Sequence, residues 1–348
     1  MLFRLRKLCA VDLGAYSIKT AVVTKKGKHL KCEVSSYPSP GHEKLEQGNV
    51  DDIVKALQEA AEKANISGEK VVSAVNSQRV ITRQFIFPRM PKLDIEKAVR
   101  WEAEKLIPMS LDDMEIRYLI LSEFLDEKEA STLKYNVLLI AVPKEIVMAY
   151  YEAFSRSKLK LTALDLPATA LWQVFANYSN IESMGNKIIV DIGFKNTCFI
   201  VMNESTIFFA RTLPVGAVNI LNSIMNLGYS SEEARSLLYN TYHNENEKSF
   251  SNAKSYEARE NILYSSGTGE IITEIKRTID FYRLQSKAVL QPEVLIITGG
   301  LSKIRAIDTL FEQELRLGAE IGFPVLENEP IPVQYSVAVG LALRSEHL

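Results

Sequence analysis

The feature that most limits what this chain can fold into occurs twice. Near the start an apolar strand runs into Asp12-Leu-Gly14, passes through a polar turn and continues as a second strand. Near the middle the strand at 187–191 runs into Asp191-Ile-Gly193, a polar turn and another strand. Repetition of this kind marks an internal duplication and is read first, because missing it misassigns the whole fold. One copy alone carries little, since an Asp-x-Gly after a strand is usually only a turn, and a lone Gly-Gly only a tight connection. Two copies in the same strand–turn–strand setting predict two halves built alike.

The flanking patterns fill in those halves. Strands at 9–13, 18–23 and 30–35 form a meander with a basic turn around Gly27. Ile53, Leu57, Ala60, Ala61 and Ala64 recur at helical spacing over 51–64, with Asn49 and Asp51 as candidate caps, and 71–75 is the next strand. The order β-β-β-α-β belongs to the α/β class. The stretch 81–165 reads as a small α+β unit of its own. It has a strand (81–87), a helix (94–106) followed by Pro108, paired strands at 116–124 and 135–142 around a charged loop (126–134), a helix (144–157) and a strand (161–164). Pro167 opens a helix over 168–177 at the position where its missing N–H costs nothing. The second meander covers 187–191, 198–202 and 206–213. A helical stretch follows (218–225, 231–239, 255–286) with a hydrophilic loop at 243–251, then a buried strand entering Thr298-Gly-Gly300, and helices at 307–315 and 336–344. The expected division is a first domain of 1–80 with 166–185 and 331–348, an inserted unit at 81–165, and a second domain at 186–330.

Composition excludes several function classes. A length of 348 residues suggests about two domains. A net charge of −2 gives no global field for nucleic acid or anionic lipid. Cys9, Cys32 and Cys198 are scattered without a CxxC pair, which fits a reducing compartment and supplies neither a zinc site nor a disulfide framework. His29, His42, His243 and His347 are not spaced for joint ligation and read as surface residues. The longest apolar runs are strand length, short of the roughly 20 residues of a membrane-spanning helix. The basic start over 1–8 lacks the apolar core of a secretory signal and reads as a lead into the first strand rather than a short amphipathic membrane contact. A cytoplasmic protein is expected. Glu102 and Glu104 do not face each other on a helix and read as a solvated face, not a catalytic pair. Tyr118, Tyr135, Tyr150 and Tyr151 read as packing.

The duplicated device has a chemistry. A strand ending in Asp-x-Gly puts a carboxylate at the carboxyl edge of a sheet beside a turn without a Cβ. Backbone N–H groups there can approach phosphate oxygens, and the Ser17 hydroxyl adds a donor. Two such hairpins would clamp a polyphosphate from both sides, with Asp12 and Asp191 holding Mg²⁺ through water and Lys19 adding a compact positive charge. Thr298-Gly-Gly300 ends a strand before a helix, so a nucleotide could lie against its backbone.

The order hairpin, inserted unit, second hairpin, helical region, strand-Gly-Gly resembles the actin-like (ribonuclease H-like) duplicated fold. Asp12-Leu-Gly-Ala-Tyr-Ser-Ile-Lys19, the pattern from Ser77 through Phe87-Pro88-Arg-Met-Pro91 to Trp101-Glu-Ala-Glu-Lys-Leu-Ile-Pro108, and Glu274-Ile-Lys-Arg-Thr-Ile-Asp-Phe-Tyr282 are similar to segments of the PilM family of type IV pilus assembly proteins, in the FtsA-like branch. The resemblance covers nearly the whole chain. It implies ATP and Mg²⁺ as ligands, with the nucleotide around Asp12, Gly14, Ser17, Lys19, Asp191, Gly193, Thr197, Gly216, Glu274, Arg277, Gly299 and Gly300. It further implies a scaffold of the inner-membrane assembly platform that binds the cytoplasmic tail of a PilN-like protein and other platform proteins, with homo-oligomerisation left open.

Two alternatives stand beside that reading. An FtsA-like cell-division protein would call for a linker and an amphipathic membrane helix after Arg344-Ser-Glu-His-Leu348. A metabolite kinase of the same superfamily would need an acidic general base beside an acceptor pocket, and the segment from Arg211 to Asn219 is free of carboxylates. Any hydrolysis is expected to be slow, because no side chain stands out to position an attacking water. The segment 77–87, with Arg79 and Arg83 among apolar residues at a domain junction, is the candidate partner groove, since forked guanidinium donors suit a peptide's carbonyls and carboxylates. An ordinary edge strand with solvated charges is the plain alternative.

Overall fold

The computed structural model describes residues 6–107, 109–126, 132–182, 185–243, 266–285 and 291–344. The N-terminal basic residues before Arg6, Pro108, most of the charged loop expected at 126–134, the hydrophilic loop after His243, the first part of the helix expected over 255–286, and the last residues including His347 fall outside these.

Two five-stranded sheets are built by one rule. The first is β1 (Arg6–Leu13), β2 (Ser17–Lys26), β3 (His29–Pro38), β4 (Lys70–Ala74) and β8 (Lys160–Asp165) in the order β3-β2-β1-β4-β8. The second is β9 (Lys187–Ile192), β10 (Thr197–Met202), β11 (Ile207–Leu213), β12 (Val294–Thr298) and β13 (Ala319–Ile321) in the order β11-β10-β9-β12-β13. In each, an antiparallel three-strand meander is followed by two parallel strands. This is the duplicated actin-like α/β arrangement.

The inner faces of both sheets share one core. Ala10, Ala21, Val23 and Val72 meet Ile189, Ile200, Met202 and Ile296 through two helices, α5 (Pro167–Asn177) and α10 (Ser336–Arg344). Every position of α10 from Ser336 to Leu343 is buried, so the helix is apolar all round, as a core helix must be. A Cβ at Gly340 would strike the backbone of Ala170, so only glycine permits this approach of the two helices. Each helix crosses over: α10 packs on β1, β2 and β4, while α5 packs on β10 and β11 of the opposite sheet. The outer face of the first sheet is covered by α1 (Glu43–Glu46), α2 (Val50–Lys63) and α4 (Lys144–Arg156). That of the second is covered by α6 (Ala217–Asn226), α7 (Ser231–His243), α8 (Ser266–Gln285) and α9 (Ile307–Leu315).

The inserted unit is smaller than the expected 81–165. It comprises β5 (Ile81–Pro88), α3 (Lys92–Leu106), β6 (Met114–Asp126) and β7 (Thr132–Pro143), a three-stranded sheet ordered β5-β7-β6. Ile95, Val99 and Ala103 of α3 fill its core against Val137, Leu139 and Ala141. The helix and strand that follow belong to the first sheet instead. Ile146, Tyr150, Ala153 and Phe154 of α4 pack under it, and β8 pairs parallel to β4. The reason is topological: a parallel pair needs a helical crossover, and α4 supplies it. The insert rests on the second sheet as well, where Gln84 Nε2 and Asn136 Nδ2 donate to the Phe208 carbonyl at 2.6 and 3.4 Å. These contacts occupy part of the open edge of β11, a position proteins normally protect.

Candidate functional site

The two hairpins have the same register. Asp12 stands opposite Lys19 and Leu13 opposite Ile18; Asp191 stands opposite Cys198 and Ile192 opposite Thr197. Each turn closes with the same bond, Gly14 N–H to Ser17 C=O at 3.2 Å and Gly193 N–H to Asn196 C=O at 3.0 Å. The turn carbonyls lie close to where a Cβ on either glycine would stand, 2.8 Å for Gly14 and 2.9 Å for Gly193.

Both hairpins open into one cleft between the halves. Asp12, Gly14, Lys19, Asp191, Gly193, Gly299 and Gly300 line it, joined by Asn76, His42, Lys195 and Cys198. Lys19 Nζ lies 3.2 Å from Asp12 Oδ2. Burial pulls the Lys19 pKa down, but the Asp12 and Asp191 carboxylates outweigh it and hold the ammonium above its usual value. For Asp191 burial dominates, with Lys19 opposing and Asp12 adding, and its pKa rises to about 6. Asp12, Asp191 and Lys19 thus bring two carboxylates and an ammonium together, a donor set that suits a hydrated divalent cation beside a polyphosphate.

The two aspartates are held differently. Asn76, just beyond β4, donates through Nδ2 to Asp12 Oδ1 and to the Leu13 carbonyl, both at 3.1 Å. Directly after β12 stands Gly299, with φ +86°, where a Cβ would collide with Asp191 Oδ1 and the Ile192 backbone. Glycine is required there twice over, by conformation and by space.

Several expected residues do not reach the cleft. Ser17 contributes its carbonyl to the turn and is not among the lining residues. The Thr197 hydroxyl donates to the Val215 carbonyl at 2.8 Å, so it braces the hairpin against the strand end below it. Gly216 caps α6, and the N–H groups there are taken: Gly216 N–H donates to Asn219 Oδ1, Ala217 N–H to Gly193 C=O and Val218 N–H to Phe194 C=O. Glu274 and Arg277 pair with each other at 2.7 Å on α8 and are not among the residues lining the cleft. Arg79 pairs with Glu145, and Arg83 donates to the neighbouring Thr82 carbonyl at 2.8 Å.

His42 is a correction. It is only 7% exposed and lines the cleft, rather than lying on the surface. It precedes the single turn of α1, too short a helix to show periodicity. Asn76 was equally invisible, because nothing in a strand-end Asn announces a carboxylate 64 positions earlier. Among the described residues no cluster of three or more His, Cys, Asp or Glu could hold a metal alone. None of their helices is long and apolar enough to cross a membrane.

A solved structure described as the PilM–PilN type IV pilus biogenesis complex aligns over 97% of this chain and 98% of its own, with a TM-score of 0.78 and 24% identity. The ethanolamine utilization protein EutJ from Carboxydothermus hydrogenoformans aligns over 97% and 89% with a TM-score of 0.54 and 13% identity. Both likenesses concern the fold. No match was found among curated protein sequences. The family model for type IV pilus assembly protein PilM matches residues 10–346. That span takes in both hairpins, the inserted unit and the Gly299-Gly300 turn, and the chain belongs to the PilM family.

Proposed function

We propose that this chain is a cytoplasmic ATP-binding scaffold of a type IV pilus inner-membrane assembly platform, carrying Mg²⁺-ATP in the cleft and a PilN-like tail at the first domain. The observation that carries the nucleotide reading is the convergence of two hairpins of identical register on one cleft. Asp12 and Asp191 would hold Mg²⁺ through water, and Lys19 would neutralise phosphate charge. The Gly300 backbone, with open space where a Cβ would stand, would let a phosphate approach closely. Bound Mg²⁺ would offset the charge that the two carboxylates leave uncompensated. Calorimetry on nucleotide-stripped protein tests this; absence of binding at millimolar Mg²⁺-ATP would sink it.

Turnover is slow in this reading. Asp165, which precedes the Leu166–Ala168 wall of the cleft in the chain, is committed to other partners. It accepts from Leu166 N–H at 2.8 Å, from the Thr169 hydroxyl at 2.6 Å and from the Arg344 guanidinium. A carboxylate so engaged does not serve as a free base toward water or an acceptor hydroxyl. Turnover at kinase rates by the protein alone would revive the enzyme alternative.

The partner reading rests on family membership and on the solved PilM–PilN complex. Beside Arg79 an open groove runs between α1–α2 and α4, with an apolar floor of Leu45, Val50 and Ile146, the exposed Met148 at its side, and a rim of Glu46, Asp51, Glu145, Glu152 and Arg156. An apolar floor with charged edges suits an extended peptide. Attachment through such a tail would bring the protein to the membrane. Capture by the immobilised tail peptide, compared across wild type, Arg79→Glu and Arg83→Glu, checks the placement; equal capture by all three removes these arginines from the site.

A further inference from the structure

Three consecutive residues of the second hairpin turn cross the cleft and grip three separate parts of the first half. The Phe194 ring lies 5.3 Å from the Tyr16 ring. Lys195 Nζ pairs with Glu43 Oε1. Asn196 Oδ1 accepts from Gln78 Nε2 at 3.1 Å. Around the middle contact two polar atoms are left over. Glu43 Oε2 and His42 Nδ1 are both buried without a hydrogen-bond partner, although such groups are nearly always satisfied in folded proteins. His42 and Lys195 line the same cleft as Asp12, Lys19 and Asp191. Burial pulls the imidazole's pKa below its usual value despite the nearby Glu43, Glu46 and Asp12, so at neutral pH it is an uncharged ring able to donate one N–H.

An imidazole whose Nδ1 has no partner and an ammonium, both lining one cleft, with a carboxylate as the ammonium's present counter-charge, describe a station for an anion. We propose that Lys195 and His42 read the terminal phosphate of a bound nucleoside triphosphate, and that Glu43 holds Lys195 in its place when that phosphate is absent. The proposal rests on the nucleotide reading above and adds what that reading leaves out, a means of telling a triphosphate from a diphosphate. In the diphosphate state Lys195 stays on Glu43 and the turn stays clasped to the first half. In the triphosphate state Lys195 exchanges a carboxylate for a phosphate oxygen and His42 donates through Nδ1. Because Gln78 is held by the neighbouring Asn196, the exchange acts on the segment that leads into β5 and the inserted unit. The site thereby couples nucleotide state to the junction beside Arg79.

Calorimetric titrations of Mg²⁺-ATP and Mg²⁺-ADP into wild type, Lys195→Met, His42→Asn and Glu43→Gln test this, with thermal melts confirming that each variant folds. Wild type should prefer ATP by about tenfold or more, the scale of one or two charge-assisted hydrogen bonds. Lys195→Met and His42→Asn should bring the ATP and ADP affinities together while leaving ADP within about twofold of wild type. Glu43→Gln should move the ratio the other way, because it removes the competitor for Lys195, an effect no loss of structure would produce. Equal loss of both nucleotides in the two former variants, or an unchanged ratio in all three, would overturn the proposal. If wild type binds ADP and ATP alike, the nucleotide reading survives and this one fails; if it binds neither, both fail.

Discussion

The two hairpins share backbone, register and turn, yet their carboxylates live in opposite circumstances. Asp12 is accompanied: Lys19 stands opposite it on the neighbouring strand, and Asn76 donates to it from beyond β4. Asp191 has Cys198 opposite and a glycine pressed against it, so burial governs its pKa. The duplicated hairpins are therefore completed differently. The first sets an ammonium opposite its carboxylate, whereas the second sets an uncharged thiol there and leaves its carboxylate with a raised pKa. Such asymmetry is expected where one ligand is held between two copies of a motif, because two complete copies would duplicate the charge the ligand needs only once.

The largest expected effect breaks the comparison at its tightest point. Gly299→Ala places a Cβ against Asp191 Oδ1 at a backbone angle of +86°, and should cost roughly 2–4 kcal/mol of stability. Gly14→Ala meets the Ser17 carbonyl at 2.8 Å without the left-handed backbone and should cost less, about 1–2 kcal/mol. Chemical denaturation of the two variants reads the difference; equal costs would mean that the turns are interchangeable.

Next in size are the aspartates themselves. Asp12→Asn removes the partner of Lys19 and should lower ligand-free stability by about 1–2 kcal/mol. Asp191→Asn should do the reverse at pH 8. The folded-state pKa of Asp191 is raised, from 3.8 to about 6. The stability this contributes is complete below pH 3.8 and is lost as pH rises through about 6. Above that, wild type carries a buried charge that the amide avoids, so the variant should melt a few degrees higher, the scale of about 1 kcal/mol. Melting curves from pH 4 to 8 should fall in wild type and flatten in Asp191→Asn. A drop in both variants would erase the asymmetry.

These residues also show how far the sequence could be read. That Asp12, Lys19, Asp191 and the Gly299-Gly300 turn meet at one cleft follows from chain-local pattern: the aspartates and the glycine pair stand at strand ends, and Lys19 at the start of the strand after the first turn. Residues whose roles depend on long-range meeting were not legible. Asn76 reaches Asp12 only once β4 pairs beside β1, and Gln78 reaches Asn196 and Glu43 reaches Lys195 only after the halves close. The inserted unit was overdrawn for a related reason. Periodicity marks α4 as a helix, but only sheet pairing reveals it as the crossover between β4 and β8. Thr197 and Gly216 fall in the right segment yet serve the hairpin's own bracing, a distinction no motif carries.

A smaller effect sharpens the comparison at Cys198, the register mate that replaces a second lysine. Burial pushes its thiol far up, with the Asp191 carboxylate adding to it, and it is 8% exposed. Thiolate is the reactive form, so labelling by a neutral thiol reagent at pH 8 should be slower than for an exposed cysteine by tenfold or more. Mg²⁺-ATP should slow it further. Labelling at the rate of a free thiol would place Cys198 outside the cleft wall.

The central claim is that both halves hold one ligand, and a double-mutant cycle of Asp12→Ala and Asp191→Ala tests it most directly, read as Mg²⁺-ATP affinity by calorimetry. Each single change should weaken binding at least tenfold, at a stoichiometry of one nucleotide per chain in wild type. The double change should lose less than the product of the two, because the aspartates act on the same bound ion and phosphates. If either substitution leaves affinity untouched, or the two losses multiply independently, the hairpins do not share a ligand.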